Sequence, residues 1–200
     1  MLAEKTTNPE NRCADGTNKQ QEFILVQVAL RLFHEKRYDK VKFSDIARSA
    51  GIPTKEAQVY FADKAEICHQ VIDTHLDNQA ALFADIDLNS NPRQRLSRFL
   101  DNIADDANAL VLRGCPLTNL YFDVRGEEEQ LVRHATRLMR QRLDWITQQF
   151  VLITRVEGTT DFAERLSSAI IGICVLAEVS GNERLIKRQV NQLKSWIRSM

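Results

Sequence analysis

The chain is short of residues that interrupt helices. Its 200 residues include only 7 Gly and 4 Pro, and most of these fall between apolar stretches. No convincing stretch alternates apolar and polar residues, so the usual signature of a half-buried strand is missing. The 4 cysteines, Cys13, Cys68, Cys115 and Cys174, form no CxxC pair. That argues against a zinc ribbon or a disulfide framework and for free thiols in a reducing compartment. Charge of one sign is lacking too, since 27 Lys+Arg balance 27 Asp+Glu. Any affinity for nucleic acid must therefore come from a local patch. The longest apolar run, Ala169 to Ala177, is nine residues, far below the ~20 that span a bilayer. The opening MLAEKTTNPENRCADGTNKQQ holds no apolar signal region. A cytoplasmic protein without a membrane partner is the expectation.

What is present is helical periodicity. A chain of this length buries roughly 70 % of its unfolded surface, enough for a substantial core. Leu25, Val28 and Leu32 line a first helix. Leu96, Phe99, Ile103, Ala107 and Leu110 line another, opened by Asn91-Pro92 and closed by Gly114-Cys115-Pro116. A long helix runs from near Gly126 to near Gly158 through Val132, Ala135, Met139, Leu143, Ile146 and Phe150. Gly181 separates the last two. The fold class is all-α, with about nine helices expected. Residues 1–19 are polar and read as a flexible arm; 20–66 form a head and 67–200 a larger helical body.

The head is the informative part. Asp45-Ile46-Ala47 belongs to a second short helix that ends at Ala50-Gly51, where Gly51 supplies the positive φ of a tight inter-helix turn. Ile52 plugs the core, Pro53-Thr54 opens a third helix with Thr54 as its cap, and that helix runs from Lys55 to Phe61, barely two turns. This is a helix-turn-helix, whose second helix meets base edges near its N-terminal end. Asp63-Lys64-Ala65-Glu66 looks like the next helix start, an Asp cap with Glu three residues on. Lys36, Arg37, Lys40 and Lys42 cluster at the corner before the second helix, in reach of phosphates.

Ala29, Leu32, Phe33, Tyr38, Asp45-Ile46-Ala47, Ala50-Gly51-Ile52, Tyr60-Phe61 and Lys64 together resemble the TetR/AcrR family of one-component bacterial regulators. The resemblance implies a transcriptional regulator, in most cases a repressor. It implies a homodimer through the last two helices, bound to palindromic double-stranded operator DNA and released by a small-molecule effector in the body. The DNA-binding residues it suggests are Lys42, Ser44, Thr54, Lys55, Glu56, Gln58, Val59, Tyr60 and Lys64. Glu56 and Gln58 depart from the family's usual Thr and Tyr, which commonly touch phosphate. Here they are expected to read bases, a carboxylate by accepting from a cytosine amino group. Residues 1–67 hold 11 Lys/Arg against 10 Asp/Glu, about +1. A helical ligand-binding or interaction protein of the same fold, with weak or lost DNA binding, is thus the alternative.

Arg113-Gly114-Cys115-Pro116-Leu117-Thr118-Asn119-Leu120 resembles a Gly-Cys-x-x-x-Asn-Leu stretch in some members' ligand domains. Phe99, Cys115, Asn119, Phe122, Met139 and Trp145 are the candidate ligand-binding residues, although aromatics at helical spacing are more often ordinary core. Cys115, at a helix start, could be an electrophile or redox sensor, but a buried small hydrophobe is the simpler reading. His69, Asp73 and Asp77 lie four apart and could share a metal; a solvated helix face explains them more simply, so no metal and no cofactor is expected. No nucleophile elbow, zincin helix or phosphate-cradling glycine loop is present, and an enzyme is not expected.

Overall fold

The computed structural model describes residues 9–154 and 160–200, with side chains from residue 18 onward. Among them are ten α-helices, two 3-10 turns and no strand. The tenth helix relative to the sequence expectation comes from one unmarked break: the segment closed by Gly114 is two helices, α5 (Pro92–Asp105) and α6 (Ala107–Arg113). Asp106 sits between them at φ −83°, ψ 7°. Two successive aspartates, poor helix formers that compete for backbone hydrogen bonds, allow the break without glycine or proline.

The chain divides into two compact units, Met1–Val71 and Ile72–Met200, a boundary five residues later than the expected 66/67. In the first unit α1 (Pro9–Lys36) is helical from residue 9. Residues 9–19, expected as part of an arm, are thus in helix. Pro9 is tolerated there because the first turn needs no N–H from it. Residues 1–8 of the expected arm lie outside the described residues. α1 packs against α2 (Phe43–Ala50) over Leu25, Ala29, Leu32, Phe33, Ile46 and Ala47, all buried. A 3-10 turn, Tyr38–Lys40, joins them. Tyr38 is fully buried and meets the Phe33 ring edge-on at 5.1 Å.

α4 (Lys64–Asp87) begins in the first unit and continues into the second. Its start is capped as the sequence indicates: Asp63 Oδ1 accepts from Glu66 N–H at 2.9 Å, and Glu66 Oε2 accepts from Ala62 N–H at 2.6 Å. In the second unit α7 (Pro116–Asp123), α8 (Glu129–Thr154), α9 (Thr160–Ser180) and α10 (Glu183–Ser199) complete the bundle with α5 and α6. Asn91 caps α5 by accepting from Arg93 N–H at 3.0 Å, with Pro92 at the first helical position. The amphipathic α10 buries Ile186, Val190 and Ile197 and packs mainly on α5. Among the described residues, no helix is long and apolar enough to cross a membrane.

Candidate functional site

Gly51 ends α2 in the left-handed region, φ 72°, ψ 20°, so the short turn the sequence required is there. Its N–H and that of Ile52 bond back to α2 carbonyls (Arg48 at 3.1 Å, Ala47 at 3.0 Å). At the other end Asp45 Oδ2 accepts from the Lys42 N–H at 3.0 Å. The third helix, α3, is a single turn, Thr54–Ala57. Its cap residue is Pro53, so Thr54 is the first helical residue rather than the cap, and its hydroxyl is not needed for capping. The chain keeps coiling beyond it, because Val59, Tyr60 and Phe61 N–H groups bond to Glu56 and Ala57 carbonyls at 3.0–3.2 Å. Ile52, Ala57 and Phe61 are buried behind this turn. Thr54, Lys55, Glu56, Gln58 and Val59 are exposed, Val59 at 79 %. An apolar side chain so exposed at the edge of a polar surface suits contact with a thymine methyl.

Three other expected contact residues are already engaged within the head. Tyr60 is half-buried, its hydroxyl between Asn18 Oδ1 (3.2 Å) and Gln21 Oε1 (2.6 Å) of α1. Lys64 donates to the Tyr38 carbonyl at 3.0 Å and lies 3.8 Å over the Tyr38 ring, a cation–π contact. It ties the start of α4 to the corner turn, leaving two of its three N–H groups for a phosphate. Lys40 pairs with Asp39 at 3.1 Å and holds that carboxyl below its usual range. At this corner Arg37 takes φ 73°, a conformation that strains any side chain. Lys42 is exposed and Ser44 half-buried.

The second unit holds a cavity of about 230 Å³ among α4–α9. Its walls are mainly apolar, Leu82, Phe83, Phe99, Ile103 and Ile170 among them, and the polar lining is His75, Asn78, Gln79, Asn102, Asp106 and Arg142, with Cys115 and Cys174. Of the six expected ligand residues, Phe99 and Cys115 line this cavity. Phe122 and Met139 line a separate groove of about 390 Å³ with Tyr121 and Arg140. Trp145 and Asn119 line neither, and each has a structural task. Trp145 stacks on Phe83 at 4.5 Å, and its indole N–H donates to the Asp87 carboxylate at 3.2 Å. Asn119 Nδ2 donates to the Arg113 carbonyl at 2.7 Å and closes the turn around Gly114.

That turn explains the Gly-Cys-x-x-x-Asn-Leu pattern physically. Gly114 lies at φ 68°, ψ −174°, a region essentially reserved for glycine. A Cβ there would come within 2.6 Å of Glu178 Oε2 and 2.8 Å of Asn119 Nδ2. Cys115 then caps α7, Pro116 opens it, and Leu120 is buried. Burial works against a Cys115 thiolate, but the Arg142 guanidinium, the Thr118 hydroxyl and the Thr118 and Leu117 amides outweigh it and hold the thiol below its ordinary value. Cys174, in the same cavity, goes the other way: burial and the neighbouring Cys115 push it up to about 12. Iodoacetamide is therefore expected to label Cys115 ahead of Cys174 below pH 9, with a rate that levels off at lower pH than for a free thiol. Peptide mapping after timed quenching checks this; equal labelling would contradict it.

Sequence reasoning missed Gln79, Arg142 and Cys174. A signal existed for the first two, since each interrupts an otherwise apolar stripe: Ile72, Leu76, Gln79, Phe83, Ile86 on α4, and Leu131, Ala135, Leu138, Arg142, Trp145 on α8. Asp73 pairs with His134 Nε2 at 2.8 Å, and among the described residues no three His, Cys, Asp or Glu groups come together to hold a metal.

Residues 25–71 match the family model described as bacterial regulatory proteins, tetR family. No curated protein sequence matches the chain. Among solved structures, a TetR transcriptional regulator from Legionella pneumophila is similar at TM-score 0.75 and 20 % identity, over 98 % of both chains. A TetR-family regulator from Agrobacterium tumefaciens gives TM-score 0.80 at 17 % identity, over 89 % of this chain and 97 % of that one. One from Streptomyces coelicolor gives 0.79 at 14 %, over 90 % and 96 %. At these identities the structures speak for the fold, while the family match speaks for the head. Residues 25–71 thus match the tetR family of bacterial regulatory proteins, in a chain with the all-α fold of TetR-family transcriptional regulators.

Proposed function

We propose that this protein is a homodimeric repressor that binds a palindromic operator and is released by a small-molecule effector held in the second unit. The observation that carries the DNA-binding part is the outward surface of α3. Thr54, Lys55, Glu56, Gln58 and Val59 stand exposed on a turn anchored by buried Ile52, Ala57 and Phe61. In this reading those five side chains face base edges. Lys42, Ser44, Tyr60 and Lys64 hold the phosphates. The dimer reading rests on α9. Ser168, Gly172, Val175, Leu176 and Val179 form one outward stripe at helical spacing, and Val179 is 83 % exposed. A Cβ at Gly172 would meet nothing within 4 Å, so small residues leave room for a second helix there. The outer face of α10 is polar, with exposed Lys187, Arg188, Asn191 and Gln192, so it would supply rim contacts and α9 the apolar centre.

An effector can shift the heads only by its difference in affinity between DNA-competent and DNA-incompetent states. α4, which runs from head into body, is the element able to transmit that difference. Gln58→Ala is expected to relax base preference at one position of each half-site, a loss of ~1–3 kcal/mol of discrimination there. Selecting operators separately with the variant and the parent checks this, and an unchanged selected site would remove Gln58 as a reader. One observation favours the weak-binding alternative: Lys64 and Lys40 are both engaged internally in a head of near-zero net charge. Affinity that is sequence-blind and unchanged by Lys64→Ala would support it.

A further inference from the structure

Two residues lining the cavity of the second unit each carry a buried polar atom without a partner, and the two atoms call for different chemistry. The Nε of Arg142 is buried without a hydrogen-bond partner, and no carboxylate pairs with the guanidinium among the described residues. Arg142 is half-buried, and a buried guanidinium nitrogen without an acceptor is unfavourable until one is supplied. Gln79 is only 7 % exposed. Its Nε2 donates to the Leu138 carbonyl and to Gln141 Oε1, both at 3.2 Å. The Leu138 carbonyl can only accept, so the amide cannot be turned over, and Gln79 Oε1 is left buried with nothing to accept from. One site thus offers a positive fork and, on a neighbouring helix, an acceptor that needs a donor. Leu82, Phe83, Phe99 and Ile103 supply the apolar walls.

We propose that this cavity binds a small organic acid, a carboxylate on a one-ring or short-chain apolar body, with the carboxylate on Arg142 and a hydroxyl donor toward Gln79 Oε1. The size follows from the volume of about 230 Å³, below the usual range of drug-sized sites. The single charge follows from the single guanidinium, since, the two cysteines apart, the other charged or titratable side chains of the lining are the exposed Asp106 carboxylate and His75. A phosphate dianion would bring about twice the charge into a cavity whose remaining walls are mainly apolar. Carboxylate matches the planar fork of Arg in a way an isolated sulfur anion does not. Among the groups lining the cavity, the Cys115 thiol is one that Arg142 favours in its ionised form, as a partner anion. A bound carboxylate takes over this role, so acid binding and Cys115 ionisation oppose one another. The inference rests on the effector-domain reading above, since it names the chemical class of that effector.

The test uses the full chain without DNA and four probes: 4-hydroxybenzoate, benzoate, benzamide and hexanoate. Calorimetry or ligand-observed NMR is expected to show both aromatic acids and hexanoate binding at least tenfold tighter than benzamide, with 4-hydroxybenzoate ahead of benzoate. Arg142→Met should erase the preference for acids while leaving benzamide binding within twofold, and Arg142→Lys should retain part of it. In the parent, saturating 4-hydroxybenzoate should slow iodoacetamide labelling of Cys115, whereas benzamide at equal occupancy should slow it less. Equal binding of acid and amide overturns the proposal, as does acid preference that survives in a folded Arg142→Met chain. Absence of binding by every probe at millimolar concentration overturns it as well. The regulator reading is separated by adding selected operator. Acid that binds without releasing DNA counts against the regulator reading alone, and operator that binds while no acid does counts against this proposal alone.

Discussion

A chain carrying Val175→Glu and Val179→Glu is expected to run as a monomer in sedimentation or light scattering, with its helical circular dichroism unchanged. Both side chains are exposed, at 50 % and 83 %, so neither substitution disturbs the core of the second unit. Two carboxylates from each copy would instead meet across the α9 stripe, where burying unpaired like charges is strongly unfavourable. Operator affinity should fall with the dimer. One head then binds one half-site without the effective concentration its partner supplies, a loss on the order of 10²–10⁴-fold. A double variant that stays dimeric would move the interface off α9. One that is monomeric yet binds the operator undiminished would deny that two heads act together.

Gly114→Ala is expected to be the most damaging single methyl added to the second unit. The backbone at φ 68°, ψ −174° costs a residue with a Cβ ~1–3 kcal/mol. The new methyl would also press on Glu178 Oε2 and Asn119 Nδ2. If Asn119 yields, its bond to the Arg113 carbonyl is lost, a further ~1 kcal/mol. A combined loss of about 3 kcal/mol lowers the melting temperature by roughly 6–12 °C in a domain of this size. Cys115 is the next residue, so its slowed labelling should accompany the loss of stability. A melting temperature within 2 °C of the parent would mean that the turn relaxes freely and the motif has no conformational origin.

The parts of the fold that could be read in the sequence are those set by local chemistry. Gly51 signals a left-handed turn because other residues are strained there, and Asp63 with Glu66 signals a helix start through bonds that span only three or four residues. Asn91-Pro92 and Gly181 mark boundaries for the same reason. The break at Asp106 was less legible, since neither Gly nor Pro marks it and aspartates also occur on exposed helix faces. The division of labour among Trp145, Asn119 and Phe122 depends on tertiary partners. Trp145 is 58 residues from Asp87 and 62 from Phe83, whose contacts make it core. Lys64 looked like an open phosphate anchor because Tyr38, 26 residues earlier, does not announce that its carbonyl and ring will receive it. Arg142 and Gln79 carried a further signal, each being a polar residue where the helical period demands an apolar one; both line the cavity, as does the pattern-fitting aromatic Phe99.

The most direct test of DNA recognition is selection of random duplex DNA by the purified, dimeric protein at near-physiological salt, followed by sequencing of what is retained. An inverted repeat is expected, its half-sites about one helical turn apart or a multiple of that, with affinity falling steeply as salt rises. Retention of no common sequence by protein shown to be folded and dimeric would contradict the operator-binding account and leave the helical body as the functional part of the chain.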